Sequence, residues 1–157
     1  MKKQDAAVIE SIRSRFNPLQ QQLIDCHVTL CREDEIADLE KVLKNLQRNK
    51  LNAITIQFGP AIRFENGKGV LLPFDGDYYT FQELRLNILE GTTSSIRRHE
   101  PHITLMHPKN STCTDEVFEI IQQAIFPQVF RFTEVSLIEQ INGGVWKIIQ
   151  TFSLKER

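Results

Sequence analysis

Apolar residues recur at helical spacing in several stretches of the 157-residue chain. The first of these stretches is predicted to end before Asn17-Pro18, because proline cannot continue a helix. A later one opens with Thr80 and Glu83, which have the spacing of a capping box. The predicted helices cover 5–16, 33–48, 80–89 and 114–126.

Other stretches are rich in β-branched and aromatic residues, a composition typical of strands. Strands are predicted over 53–58, 70–74, 129–138 and 145–152. Asn-Gly-Lys-Gly at 66–69 and Asn-Gly-Gly at 142–144 predict hairpin turns, because asparagine and glycine tolerate positive φ.

One tetrapeptide occurs twice. His-Val-Thr-Leu at 27–30 returns as His-Ile-Thr-Leu at 102–105, 75 positions later, and Gly69 and Gly144 are separated by the same interval. The unit helix-strand-helix-strand-strand is therefore used twice, about 1–75 and about 76–157. The polar loop 91–95 lies inside the second unit and does not separate the two.

These elements predict an α+β protein. We expect one bilobal domain over 1–157, with two pseudo-symmetric lobes around a central cleft. Each lobe is expected to be a small antiparallel sheet with helices.

Composition narrows the class of protein. Hydrophobic residues make up 41% and charged residues 25%, which is typical of a globular chain, and no stretch has the ~18 apolar residues of a membrane helix. The formal charge of −1 argues against binding to a DNA duplex. Since no stretch suits a membrane and no apolar run follows the N-terminal lysines, we expect a cytoplasmic location without a membrane partner. The three cysteines, without a CxxC pair, are expected to be buried or reduced thiols.

The repeated tetrapeptide carries candidate chemistry. In a strand, residues two apart share a face, so His27 and Thr29 face one way, as do His102 and Thr104. Imidazole titrates near pH ~6.5, so one histidine can accept a proton while another donates one. Hydroxyls can donate to phosphate oxygens. If the two faces meet in one cleft, the set suits cleavage of a phosphodiester without a metal or another cofactor.

A family resemblance follows from these residues. Paired His-x-Thr-Leu motifs on a duplicated α+β unit, Pro101 before the second motif and a closing hairpin over 136–154 resemble the two-histidine (2H) phosphoesterase superfamily. That superfamily includes bacterial 2'-5' RNA ligases and 2',3'-cyclic phosphodiesterases. The resemblance implies that His27 and His102 are catalytic and that Thr29 and Thr104 bind phosphate.

The resemblance also implies the substrate, a nucleotide or RNA with a cyclic or 2'-linked phosphate. We expect a metal-independent, monomeric phosphoesterase that opens 2',3'-cyclic phosphates. Activity as a 2'-5' phosphodiesterase or RNA ligase is an alternative. So is a binder that recognises 2'-phosphorylated nucleotides or RNA ends without turnover.

Further candidates for substrate contact lie near the motifs. Arg32 follows the first motif, and Arg97 and Arg98 precede the second, so each can reach a phosphate or remain a solvated loop charge. Trp146 occupies a position where the family has an aromatic residue, and it can stack on a base or pack in the core.

Other interpretations of the motif residues stay open. Thr29 and Thr104 also suit strands simply because threonine is β-branched. A metal site at His99, His102 and His107 is disfavoured, since His102 and His107 face opposite ways in an extended strand and His99 precedes it. His99 and His107 are expected to be surface or loop residues.

Overall fold

The structure, a computed structural model, describes residues 3–48, 51–92 and 96–156. Residues 93–95 of the predicted polar loop lie outside the described residues. Over the described ranges, five helices and seven strands follow in the order α1 (Lys3–Phe16), α2 (Pro18–Leu23), α3 (Leu39–Arg48), β1 (Ile54–Gln57), β2 (Ile62–Phe64), β3 (Gly69–Pro73), α4 (Tyr79–Ile88), β4 (His102–Met106), α5 (Asp115–Gln122), β5 (Val129–Phe132), β6 (Glu134–Glu139) and β7 (Lys147–Ser153).

The helices follow the apolar pattern, but their ends differ from the prediction. Helix α3 begins at Leu39, six residues late, because the chain first makes a turn in which the Arg32 amide donates to the Glu35 carboxylate. Helix α5 is capped by Thr114, whose hydroxyl accepts from an amide in the first turn. The short helix α2 was not predicted; it begins at Pro18, since proline suits a first helical position.

The predicted capping box at the start of α4 is wrong. The helix begins one residue before Thr80, and its N-cap makes no side-chain hydrogen bond. Instead, the Asp77 carboxylate accepts from the Tyr79 amide at 2.7 Å, so a different polar side chain satisfies an amide at this end.

Both predicted turns are confirmed. Asn66 and Gly67 have φ of 55° and 84°, and Asn142 and Gly143 have φ of 51° and 72°. The first turn joins β3 to the unpredicted strand β2 rather than to β1. The single strand predicted over 129–138 is two strands, β5 and β6, which separate at Thr133 where its carbonyl accepts from Leu154.

The predicted α+β class with small antiparallel sheets is confirmed, but the repeats share strands. Strand β4 joins β2 and β3 in a three-stranded sheet, and β1 pairs with β5, so both of these sheets combine the two halves of the chain. The third sheet, β6–β7, lies within the second half. The β1–β5 register is symmetric under the 75-residue interval, with Ile54 opposite Phe132 and Gln57 opposite Val129.

The core lies between these sheets and the helices α1 and α4. Fully buried side chains include Ile9, Leu72, Phe81, Ile103 and Phe130, one each from α1, β3, α4, β4 and β5. Burial of such a side chain stabilises the fold by about 1.5–3 kcal/mol. Among the helices described, none is long and apolar enough to cross a membrane.

Candidate active site

The second motif forms strand β4. Ile103 and Leu105 are completely buried, whereas His102 and Thr104 are half-buried on the opposite face. The strand is hydrogen-bonded along β3, with His102 opposite Pro73. The core and the sheet therefore both determine which way His102 and Thr104 point.

The first motif does not form the predicted strand. Over 25–30 the chain makes a single antiparallel bridge, between Val28 and Ile103. These two residues are themselves 75 positions apart, so the bridge joins equivalent positions of the two tetrapeptides.

This bridge brings the four motif residues together. In its antiparallel register His27 lies opposite Thr104, and Thr29 lies opposite His102. Directly opposite residues have Cβ atoms about 5 Å apart and share a face, and diagonal neighbours are about 7–8 Å apart. The two imidazoles thus occupy diagonal corners of one patch and the two hydroxyls occupy the other corners.

Both motif histidines make the same hydrogen bond. Nδ1 of His27 lies 2.8 Å from the Asp25 carbonyl oxygen, and Nδ1 of His102 lies 3.1 Å from the Glu100 carbonyl oxygen. A carbonyl can only accept, so Nδ1 carries the hydrogen in each ring. Each neutral ring therefore keeps its Nε2 lone pair for another group.

The pKa of His27 lies below the ordinary histidine value of 6.5, first because protein atoms crowd around the ring and disfavour its charged form. The Asp25 carbonyl acts in the opposite direction, and the positive charges of Arg13 and His102 lower the pKa further. The side chain is nevertheless exposed to solvent. A lowered pKa favours the neutral form of the His27 ring at pH 7.

His99 belongs to this region, which sequence reasoning missed. It lies in a loop, as expected, but it is half-buried, with its ring centroid 6.0 Å from that of His102 and 6.1 Å from that of Phe81. Its Nε2–H donates to the Thr29 carbonyl at 3.1 Å. Burial, followed by the charges of Arg85 and His102, lowers its pKa. No local pattern distinguishes this histidine from an exposed loop residue.

His107 is also a half-buried loop residue, but its contacts lie elsewhere. Its Nδ1 accepts from the Lys109 amide at 3.2 Å, and its own amide donates to the Asn17 side chain at 2.7 Å. Among the residues that the structure describes, no group of three or more His, Cys, Asp or Glu is placed to hold a metal ion.

The candidate arginines are exposed and have different partners. Arg97 forms ion pairs with Asp34 at 2.6 Å and with Glu35 at 3.4 Å. Arg98 lies over the Tyr78 ring, 5.2 Å from its centroid, and donates to the Tyr78 hydroxyl. Arg32 is exposed, and its amide is held by Glu35. The contacts of Arg97 and Arg98 therefore join them to neighbouring loops and not to the motif side chains.

Trp146 is half-buried near the approach to the first motif. Its amide donates to the carbonyl of Leu23, four residues before His27, at 2.9 Å. The tryptophan is thus attached to the chain that leads into the motif.

Two cavities lie away from the motif face. One, of about 280 Å³, lies between β1 and α4 and includes Arg131. The other, of about 460 Å³, is a groove beside Tyr78, Tyr79 and Arg98. Neither is lined by a motif residue, so the motif histidines lie outside both cavities.

Comparison with known proteins connects this geometry to a family. The model of the 2'-5' RNA ligase superfamily matches residues 2–144. A search of curated proteins finds no match.

Solved structures with a similar fold cover nearly the whole chain. E. coli LigT complexed with NADP+ is 16% identical with a TM-score of 0.64, and the match covers 98% of this chain and 92% of LigT. LigT complexed with 3'-AMP, also 16% identical, has a TM-score of 0.62, with 98% and 93% covered. A structure described as a phosphoesterase is 14% identical with a TM-score of 0.63, with 98% and 94% covered.

Proposed function

Because the chain belongs to the 2'-5' RNA ligase superfamily of two-histidine phosphoesterases, we propose that it opens 2',3'-cyclic phosphates of RNA-type substrates by acid–base catalysis. The observation that carries the proposal is the Val28–Ile103 bridge. In its register two imidazoles and two hydroxyls share one face, and diagonal neighbours of such a register are about 7–8 Å apart, which suits a single phosphate between the imidazoles.

His27 is the general base in this proposal, since its lowered pKa keeps the ring neutral. Its Nε2 takes a proton from water, and the water oxygen forms a bond to phosphorus. The bond from phosphorus to one ribose oxygen breaks, and Nε2–H of His102 protonates that oxygen. The products are a phosphomonoester and a free hydroxyl, and a proton exchange with solvent restores both rings.

Thr29 and Thr104 are the phosphate-binding residues in this scheme. Their hydroxyls donate to the non-bridging oxygens, where negative charge increases in the transition state. Each threonine lies opposite a histidine in the bridge register, so each hydroxyl reaches the phosphate beside a proton-transfer group.

Nucleotide substrates are supported by the comparisons, because the matched LigT structures are complexes with NADP+, ATP and 3'-AMP. Trp146 is proposed to stack on a base, since it is attached to the approach to the first motif. Arg98 is proposed to meet a phosphate of the substrate, because its side chain is 74% exposed and its nearest carboxylate is 3.8 Å away. Arg97 is already neutralised by two carboxylates.

Ligation is the second candidate, because the family description names it. The same two histidines would keep their roles, with His27 deprotonating the hydroxyl of a second RNA end instead of water, and His102 protonating the ribose oxygen whose bond to phosphorus breaks. The direction then depends on the concentrations of ends and products.

Turnover tests the proposal directly. Purified protein is incubated with 2',3'-cyclic nucleotides, cyclic-phosphate-ended RNA and 2'-5' linked oligonucleotides, each with and without EDTA, beside His27→Ala as control. We expect opening of the cyclic phosphate by the wild type in both conditions. Tight binding without turnover would support the non-catalytic binder, and activity that vanished with EDTA and returned with a divalent ion would replace the acid–base scheme with metal-activated water.

A further inference from the structure

After the bridge at Val28, the next two backbone carbonyls of the first motif, those of Thr29 and Leu30, accept hydrogen bonds from side chains. His99 Nε2–H donates to the Thr29 carbonyl at 3.1 Å, and Arg85 Nη1 donates to the next carbonyl, that of Leu30. Backbone carbonyls need partners when they are buried, and in a strand the neighbouring strand supplies them. Here two side chains take that place.

Both donors come from the second repeat. Arg85 is on α4, and His99 lies three residues before His102. Arg85 also donates through Nη2 to the Arg97 carbonyl at 3.1 Å, and so holds the segment that leads into the second motif. We call His99 and Arg85 the cross-motif clamp, because together they attach the first motif to the approach to the second.

The clamp is held firmly on its own side. Arg85 is completely buried and forms an ion pair with Glu35 at 2.6 Å. The His99 ring contacts the rings of both Phe81 and His102, with centroid distances of 6.1 Å and 6.0 Å. A planar guanidinium and a ring packed against two others leave little freedom in the positions of their donor atoms.

We propose that His99 and Arg85 are positioning residues, which set the Thr29 hydroxyl at the distance from His102 that the phosphate requires. The inference rests on the proposed function, since it assigns Thr29 to the phosphate. A displacement of about 1 Å at a reacting centre can cost on the order of 10²-fold in rate. The clamp acts on the main chain of Thr29 itself, so a loss of its hydrogen bond is transmitted to the hydroxyl.

Two substitutions of His99 separate hydrogen bonding from packing. His99→Gln keeps an N–H donor, whereas His99→Leu fills the space without one. We expect His99→Leu to lower kcat on the order of 10²-fold with a smaller change in KM, and His99→Gln to restore most of the rate. Arg85 is the poorer choice for substitution, because its removal leaves the buried Glu35 carboxylate with only the longer ion pair to Arg97.

A double-mutant cycle distinguishes positioning from general damage. Thr29→Val removes the hydroxyl that the clamp is proposed to position, so adding it to His99→Leu should lower kcat little further. Thr104→Val is the matched control in the other motif, and its effect should multiply with that of His99→Leu. Multiplying effects for Thr29 as well, or a normal rate in His99→Leu, would overturn the proposal.

Hydrogen exchange gives a readout without substrate. Amides over 28–32 should exchange faster in His99→Leu than in His99→Gln, while those of β4 keep the wild-type rate. If the wild type turns over no substrate, the proposed function fails by itself. Unchanged exchange over 28–32 in His99→Leu would then show that the clamp does not hold the segment, and the inference would fail separately.

Discussion

The two His-x-Thr-Leu segments lie on the same patch of the molecule but are held there in different ways. The second is strand β4, which is hydrogen-bonded along β3 and has Ile103 and Leu105 in the core. The first has one bridge and depends on side chains. Equivalent residues of the two motifs therefore lie side by side, but different kinds of hydrogen bond hold them there.

Side chains hold the first motif at both ends. Before it, Glu10 accepts from the Cys26 amide and Arg13 donates to the Ile24 carbonyl at 2.6 Å. After it, the cross-motif clamp holds the carbonyls of Thr29 and Leu30. Main-chain hydrogen bonds in a sheet survive most substitutions, because every residue except proline offers the same groups. A segment held by particular side chains is lost when those side chains change.

The largest expected effects on turnover come from substitution of the two motif histidines. Because both transfer a proton in the same reaction, the two substitutions should lower turnover to a similar extent. His27→Ala and His102→Ala should each remove nearly all turnover, since each proton transfer contributes about 10²–10⁴-fold. The double variant should be little worse than either single one, because the two groups act in one step. Steady-state kinetics measures this, with circular dichroism to show that the fold remains. Wild-type turnover in either single variant would mean that its histidine is structural.

The threonines come next and test whether the hydroxyls are equivalent. Thr29→Val and Thr104→Val keep the β-branched shape, so only the donor is lost. Each should raise the barrier by about 2–4 kcal/mol, measured as kcat. Normal rates in both variants would leave the threonines as strand formers only.

Loss of a supporting side chain should destabilise the first motif and leave the second motif unchanged. Arg13→Met removes the donor to the Ile24 carbonyl and the partner of Glu10, so we expect the free energy of unfolding to fall by about 1–3 kcal/mol. Hydrogen exchange should become faster over 24–28 and not in β4. Arg15→Met is the matched control, because Arg15 is exposed on the same helix. Equal effects of both substitutions on chemical denaturation would contradict side-chain support of the first motif.

The smallest effect is on pH dependence. Since the pKa of His27 is lowered, the acid limb of the kcat/KM profile should lie below pH 6.5. A bound phosphate favours imidazolium, so the kcat profile should lie to the alkaline side of it. The His27 ring also contributes to stability above its ordinary pKa, and this contribution is lost as the pH falls, because the unfolded chain binds the proton more readily. NMR titration of His27 measures the pKa, and a value above 6.5 would contradict its assignment as the base.

Local sequence patterns are sufficient to predict single strands and turns. Alternation in the second motif predicts that His102 and Thr104 share a face away from Ile103, and this is what β4 shows. The Asn-Gly turns follow equally directly, since positive φ depends on the residue itself. The same alternation predicted a strand at the first motif, where only a bridge forms, because a strand needs a neighbour that the pattern does not contain.

The repeated tetrapeptide also predicts which residues share the candidate site. An interval of 75 residues relates His27 to His102, and the same interval relates Val28 to Ile103, the pair that bridges the two motifs. When two equivalent segments pair in antiparallel register at equivalent residues, their equivalent faces lie on the same side. The residue types of the patch, two imidazoles and two hydroxyls, can therefore be predicted from the sequence of the two tetrapeptides.

The side chains and strands that hold this patch in place depend on the tertiary structure. Arg85 and Glu35 are 50 residues apart, His99 and Thr29 are 70 apart, and β4 completes a sheet begun by the other repeat. A buried guanidinium or a half-buried imidazole pairs with whatever acceptor the packing brings to it, and a carbonyl is offered by every residue. Such partners have no spacing and no residue type that a sequence can display, so their identity depends on the whole of the tertiary packing.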